Sequence, residues 1–302
     1  MSTAITGVSV VLPGVTAPEG LLAGPVPGAA RVDPAALIGK KGLRYKDRAT
    51  QLGLCLAVSA LTDAGLLDAT GRPTAPGERV GVVVSTNLGN ADTVCRAVET
   101  IAKEGTKGLS PMDTPNASSN ITASEIAIRF DLRGPNLTVC NGVTSGLDAV
   151  RWASLTVRSG RADHMLVLGV EPDNEVTRAL LGGPVVDGGA GLVVSRAAGS
   201  GRAHALIGPH VRAAGLTACA EGLTAAAPGG GVWLTDASDA VPPGAARLGL
   251  RGWGECSGAL GVMQCAAASA WLAQDRTEPA YALLGGAGVP SAGLALLPGG
   301  RS

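Results

Sequence analysis

Aromatic side chains are nearly absent from the chain, at 2% of its 302 residues. A core without large rings must be close-packed from Ala, Val, Leu and Ile. A surplus of one charge is missing too, since 24 Lys and Arg balance 24 Asp and Glu. Such a balance gives neither a nucleic-acid footprint nor attraction to an anionic membrane. No apolar run reaches the roughly 18 residues that a membrane span needs. The opening "MSTAITGVSVVLPG" has no basic stretch ahead of a long apolar one, so no targeting or anchoring segment is expected. Six cysteines (Cys55, Cys95, Cys140, Cys219, Cys256 and Cys265) are scattered without a C-x-x-C pair, and no histidine stands near a second ligand. Metal sites and a disulfide framework are disfavoured, no cofactor is called for, and a reducing cytoplasm is the expected setting.

What the chain has instead is glycine, 45 residues of it, with 46% hydrophobic against 16% charged residues. The length allows one large domain or two of about 150 residues. Gly183–Gly191, Pro228–Gly231 and the tail after Pro298 read as loops or linkers. The other glycines suit near approach of backbones.

Apolar β-branched runs alternate with segments of helical period. "AITGVSVVLPG", "RVGVVVSTNLG", "LTVCNG" and "DHMLVLGVE" read as strands. "YKDRATQLGLCLAVSALTDAGL", stopping at Gly65, "NADTVCRAVETIAKEG" and "SGLDAVRWASLTVRSG" read as helices. The second half repeats the plan more weakly: strands in "GAGLVVSR", "HALIGPHVRAAG" and "GVWLTDASDA", helices in "LTACAEGLTAAA" and "GECSGALGVMQCAAASAWLAQ", and a strand pair around Gly285-Gly286. The pattern is α/β, pseudo-duplicated, with a mostly buried sheet.

The stretch "TVCNGVTSGLDAVRWA", Thr138–Ala153, is a strand, a tight turn and a helix start, a common seat for a nucleophile. Val143 occupies the turn. Cys140, three residues early, reads as a displaced nucleophile or as a small buried hydrophobe. Ser145 reads as a nucleophile or as a cap in the first helical turn. Glu255 is an acid/base group or a carboxylate favoured by a helix N-terminus. His164, His204 and His210 flank strands and read as surface or strand-edge residues.

The segments "GKKGLRYKDRATQLGLCLAVSALTDAGL", "RVGVVVSTNLG", "SPMDTPNASSNITASEIAIRFDLRGPNLTV" and "GVTSGLDAV" resemble the β-ketoacyl synthase family. The resemblance covers about the first 195 residues well and the remainder loosely. It implies a single thiolase-like domain over residues 1–302. Two pseudo-repeated α/β halves, about 1–195 and 196–302, would have central mixed sheets sandwiched by helices. Active members carry a cysteine at a helix N-terminus and two histidines that stabilise developing negative charge. Here the cysteine position falls on Val143. The first histidine falls in the region of Thr235, Asp236 and Ser238, with Asp236 at the matched place, and the second on Glu255.

A ketosynthase-like chain without these groups resembles the chain-length factor of type II polyketide synthases. That likeness implies a heterodimer with an active ketosynthase, no condensation by the chain alone, and an acyl carrier protein met mainly through the partner. Val143 departs from the usual Gln of such subunits, and the long insertion before "DGGAGLVV" is nearly absent, as in subunits serving polyene and aryl polyene synthesis. The likeness also places the dimer contact on Asn136, Leu137, Thr138, Val139 and Cys140. It sends Met112, Thr114, Pro115, Asn116, Ala117 and Ser118 across the interface to wall the acyl tunnel. "SPMD" reads equally as an ordinary helix start. Two other readings stand beside this one: a thiolase-fold enzyme using altered groups such as Glu255 or Cys140, and a homodimeric acyl-binding pseudo-enzyme.

Overall fold

Nine consecutive buried residues, Thr3–Val11, form β1 at the middle of the sheet. The computed structural model describes residues 2–197, 203–286 and 288–299. After β1 come α1 (Gly20–Ala23), α2 (Pro34–Ile38), α3 (Arg48–Asp63), β2 (Val80–Ser85), α4 (Ala91–Glu104) and α5 (Ile121–Phe130). β3 (Asn136–Val139), α6 (Ser145–Arg158), β4 (His164–Glu171), α7 (Glu175–Leu181) and β5 (Gly188–Arg196) complete the first half. The second half holds β6 (Ala205–Ala213), α8 (Leu216–Ala226), β7 (Val232–Leu234), β8 (Arg247–Leu248), α9 (Leu260–Leu272), β9 (Ala280–Gly286) and β10 (Val289–Pro298).

All these strands join one ten-stranded sheet in the order β3-β2-β4-β5-β1-β6-β10-β9-β7-β8. The first five run parallel from β3 through β2 to β4, then antiparallel to β5 and β1. The last five repeat this from the opposite edge: β8, β7 and β9 parallel, then β10 and β6 antiparallel. The halves meet where Thr3, Ala4 and Ile5 pair antiparallel with Ile207, Leu206 and Ala205. This is the pseudo-duplication expected from the sequence.

Helix α3 starts because the Asp47 carboxylate accepts the Thr50 N–H at 2.7 Å, and it buries Leu52, Leu54, Leu56 and Leu61 against one face of the sheet. Helices α6 and α9 share a second core with strands of both halves. Their crossing needs glycine: a Cβ on Gly146 would lie 2.7 Å from the Gly261 nitrogen. α9 is apolar on every side because strands of both halves enclose it.

Three readings change. Gly188–Gly191 is not loop but the buried start of β5, and a Cβ on Gly189 would lie 1.8 Å from the Gly169 carbonyl oxygen. Neighbouring strand backbone leaves no room for a Cβ at Gly188 and Gly189, and the Ser9 and Leu168 side chains crowd Gly191. The strand expected over "GVWLTDASDA" ends at Leu234, beyond which Ser238–Ala240 is a 3-10 turn. "SPMD" caps no α-helix: Thr114–Ala117 is a 3-10 turn, and α5 begins only at Ile121. The tail beyond Gly299 lies outside the described residues.

Candidate functional site

The loops that follow β3 and β7, and the one that leads into α9, surround a cavity of about 380 Å³. Val143, Thr235, Asp236, Arg251 and Glu255 line it, above a floor that includes Leu216, Leu260 and Leu284. The residues that the sequence singled out from three distant segments thus line one cavity.

The turn is shaped by Gly142, at φ +87°, a conformation that favours glycine. Val143 follows it half-buried, and Thr144 and Ser145 are buried. Ser145 Oγ lies 2.7 Å from Asn141 Oδ1 and 2.9 Å from Asn87 Oδ1, and it accepts the Asn141 N–H at 2.8 Å. These partners hold the turn, and no imidazole is among them. Ser145 therefore serves the helix start.

Asp236 Oδ1 accepts the Arg251 N–H at 3.3 Å, and Thr235 Oγ1 accepts that of Ala237 at 3.2 Å. Glu255 is exposed, and its Oε1 accepts the Ser257 N–H at 3.0 Å, where a 3-10 turn leads into α9. That is the helix-terminal role weighed for it in the sequence. Cys256 also lines the cavity, but burial and the nearby Glu255, Asp236 and Glu171 push its thiol far above the usual range. It is the neutral thiol, not the nucleophilic thiolate.

Two residues that the sequence reading passed over tie these walls together. Asn87 Nδ2 donates to the Gly142 carbonyl at 3.0 Å and to Ser257 Oγ at 2.9 Å, and its Oδ1 accepts the Gly142 N–H at 3.2 Å. Below it, the fully buried Glu171 accepts the N–H groups of Asn87 (2.6 Å), Gly258 (3.0 Å) and Leu88 (3.2 Å) and the hydroxyl of Thr86 (3.1 Å). Burial pushes the Glu171 carboxyl up to about 7 against these donors, which favour its charged form. The available signal was a carboxylate closing an otherwise apolar strand, "HMLVLGVE".

No histidine lines the cavity. His164 Nδ1 meets Ser195 Oγ at 2.7 Å, and His204 Nε2 meets Asp63 Oδ2 at 2.7 Å. Of the surface and strand-edge readings of His210, the surface one fails: its side chain is 9% exposed within β6, 3.9 Å from Asp148. Cys140 reverses the other way and is exposed, because β3 forms the free edge of the sheet.

Val82 N–H donates to the Pro135 carbonyl (2.9 Å) and Thr86 N–H to that of Val139 (3.2 Å). Alternate residues of a parallel strand bond the neighbour, so Asn136 and Thr138 turn their N–H and C=O groups outward. Met112, Thr114, Pro115 and Ser118 are exposed, and none lines the cavity of their own chain. Asn116 departs from them: it is buried, and its Nδ2 donates to the Tyr45 carbonyl at 2.6 Å, fixing the segment rather than forming a free wall.

Residues 22–180, more than half of the chain, match the β-ketoacyl synthase N-terminal domain. The chain belongs to the β-ketoacyl synthase family. Among curated β-ketoacyl synthase relatives, 3-oxoacyl-[acyl-carrier-protein] synthase 2 of Coxiella burnetii is 29% identical over 140 residues, which are 46% of this chain and 33% of that protein. The tetracenomycin polyketide synthase ketoacyl synthase alpha subunit of Streptomyces glaucescens is 34% identical over 125 residues, covering 39% of this chain and 28% of that one. The match thus spans about a third of the length of these relatives. The whole fold is similar to the ishigamide ketosynthase/chain length factor, with TM-score 0.80 and 24% identity over 99% of this chain and 100% of that one. It is also similar to a type II polyketide synthase acyl-carrier protein–ketosynthase complex, with TM-score 0.77 and 16% identity over 98% and 99% of the two chains. A ketosynthase-like, thiolase-type α/β fold is thereby established. Among the described residues no helix is long and apolar enough to cross a membrane, and no group of His, Cys, Asp or Glu could hold a metal ion.

Proposed function

We propose that this chain is a non-catalytic chain-length factor, a single thiolase-like domain that pairs with an active ketosynthase and shapes its acyl tunnel in type II polyketide synthesis. The observation that carries this reading is the cavity wall, where Val143, Asp236 and Glu255 stand together without a reactive thiolate or an imidazole. Condensation needs an activated nucleophile and donors for a developing oxyanion. Two carboxylates supply neither, and they repel the negative charge that builds up.

The outward-facing donors of β3 support pairing with a partner strand, because a free edge is satisfied by another strand. Ile128 (77% exposed), Leu137 (37%), Trp152 (53%) and Leu155 (40%) flank that edge on α5, β3 and α6, an apolar surround suited to a permanent interface. The acyl carrier protein is met mainly through the ketosynthase. The small exposed residues of 112–118 then lie against the partner's tunnel, which suits long extended products such as polyenes or aryl polyenes.

The test is reconstitution. The purified chain should give no condensation of acyl and malonyl thioesters, and should form a complex with an active type II ketosynthase that elongates carrier-bound chains. Product from the chain alone would overturn the reading, as would full activity and unchanged chain length of that ketosynthase without this subunit.

A further inference from the structure

Both helices that flank β3 carry outward arginines. On α6 the exposed residues Arg151, Trp152, Leu155 and Arg158 form one stripe. The only acid of that helix, Asp148, is 5% exposed and already accepts from Asn141 Nδ2, Thr144 Oγ1 and Arg212 Nη1. On α5, Arg129 is exposed beside Ile128, while Glu125 is taken by Lys46. At the foot of the edge, Asp131 is taken by Arg133. Among the described residues, Arg129, Arg151 and Arg158 have no carboxylate within ion-pair distance, and the one acid of each helix, Glu125 on α5 and Asp148 on α6, is already paired. His210 lies beneath, where burial and then Arg151 hold its imidazole down at about 4, so it stays neutral beside a positive surface.

We infer that these arginines choose the partner at the β3 edge, rejecting a second copy of this chain and accepting a related chain whose facing helices carry carboxylates. The inference rests on the edge pairing proposed above. An antiparallel neighbour on β3 is related to this chain by a two-fold axis through the strand pair, so α6 meets its counterpart on one face of the joined sheet and α5 meets its counterpart on the other. In a homodimer each patch would meet itself. Arginines would face arginines while the acids of these helices are already paired within their own chain, a juxtaposition that suppresses the wrong partner. Trp152, Leu155, Leu137 and Ile128 supply the apolar contact for any partner, and the charges supply the selection.

The experiment compares the full chain with Arg151→Glu and Arg158→Glu, with Arg276→Glu as a control in the second half. Sedimentation equilibrium at 50 and 500 mM salt is read with and without the co-expressed ketosynthase. The wild-type chain should be monomeric at low salt and self-associate more at high salt. Each α6 variant should dimerise at least tenfold more tightly at low salt, because its glutamate meets the other copy's remaining arginine, while Arg276→Glu stays monomeric. If the free chain is insoluble, the heterodimer decides: the Arg151→Glu/Arg158→Glu double variant should cut its yield at least tenfold. A wild-type homodimer insensitive to salt would overturn the inference, as would variants that leave both self-association and heterodimer yield within twofold. A ketosynthase that never binds, while the variants still dimerise, would instead sink the heterodimer reading and leave the self-rejection standing.

Discussion

Asn87 Nδ2 donates to Ser257 Oγ across 2.9 Å, and this bond joins a loop of the first half to the start of α9 in the second. The same side chain grips both backbone groups of Gly142. Asn87→Ala removes four side-chain hydrogen bonds, two to Gly142, one to Ser257 Oγ and one to Ser145 Oγ, which keeps Asn141 as an alternative acceptor; each is worth about 1 kcal/mol net. Urea unfolding should register a loss of about 2 to 3 kcal/mol. A loss below 0.5 kcal/mol would mean that the turn and α9 hold their places without it.

Glu171 should make stability fall with rising pH. Its ordinary value is 4.5 and burial raises it to about 7, so the folded state keeps a proton that the unfolded state releases between these values. Stability therefore declines across that window, by on the order of 3 kcal/mol in total, and is flat for this group above and below it. Urea unfolding of wild type and Glu171→Gln between pH 4 and 8 isolates the effect: the wild type should lose ground against the variant as pH rises. Parallel curves would show that Glu171 does not titrate there.

Val143→Cys should not create a condensing enzyme. A thiol just ahead of α6 would gain some activation from the helix N-terminus, but Asp236 and Glu255 still line the same cavity. Alkylation of the new thiol with no condensation product is the expected result, read by mass spectrometry of the carrier protein. Efficient elongation by the single variant would refute the assignment of these carboxylates.

Thr138→Pro should abolish pairing while sparing the fold. The Thr138 N–H points away from β2, so proline removes an outward donor and leaves the inner ladder intact. Circular dichroism should be unchanged and co-purification with the ketosynthase lost. A complex that survives would place the interface elsewhere.

Thr114→Phe or Ser118→Phe should shorten the product. Both residues are exposed in the free chain, so a ring there costs the subunit little. Against a packed tunnel wall the added volume costs about 1 to 3 kcal/mol, and about 1.4 kcal/mol is already tenfold in a rate. Early rounds would proceed and late ones would stall. Mass distributions of carrier-bound chains from the intact pair read the effect, and identical distributions would move the ruler away from this segment.

The long elements were legible because their burial is written in period: β1 and β4 as apolar runs, α3 and α6 as helical stripes ending in glycine. The turn at Val143 was legible for the same reason. The short helices α1, α2 and α7 carry too few turns to show a period, and α2 and α7 are held by local caps, as in the Asn174–Thr177 capping box. Gly188–Gly191 misled because a glycine run spells both a flexible loop and strands with no room for a Cβ. Asn87 and Glu171 were invisible because their partners are backbone groups brought close only by folding. Cys140, just past the edge strand β3, is exposed and His210, in β6 near Asp148, is covered, and what covers each depends on packing that only the folded chain sets.

The two ends of the sheet are unlike. β3 offers four residues and outward donors, whereas β8 is only Arg247–Leu248. A sheet open at both ends is a template for filaments, each added chain exposing the edge that recruits the next. This sheet offers one edge long enough to take a further strand, so growth by strand addition has a single direction open to it.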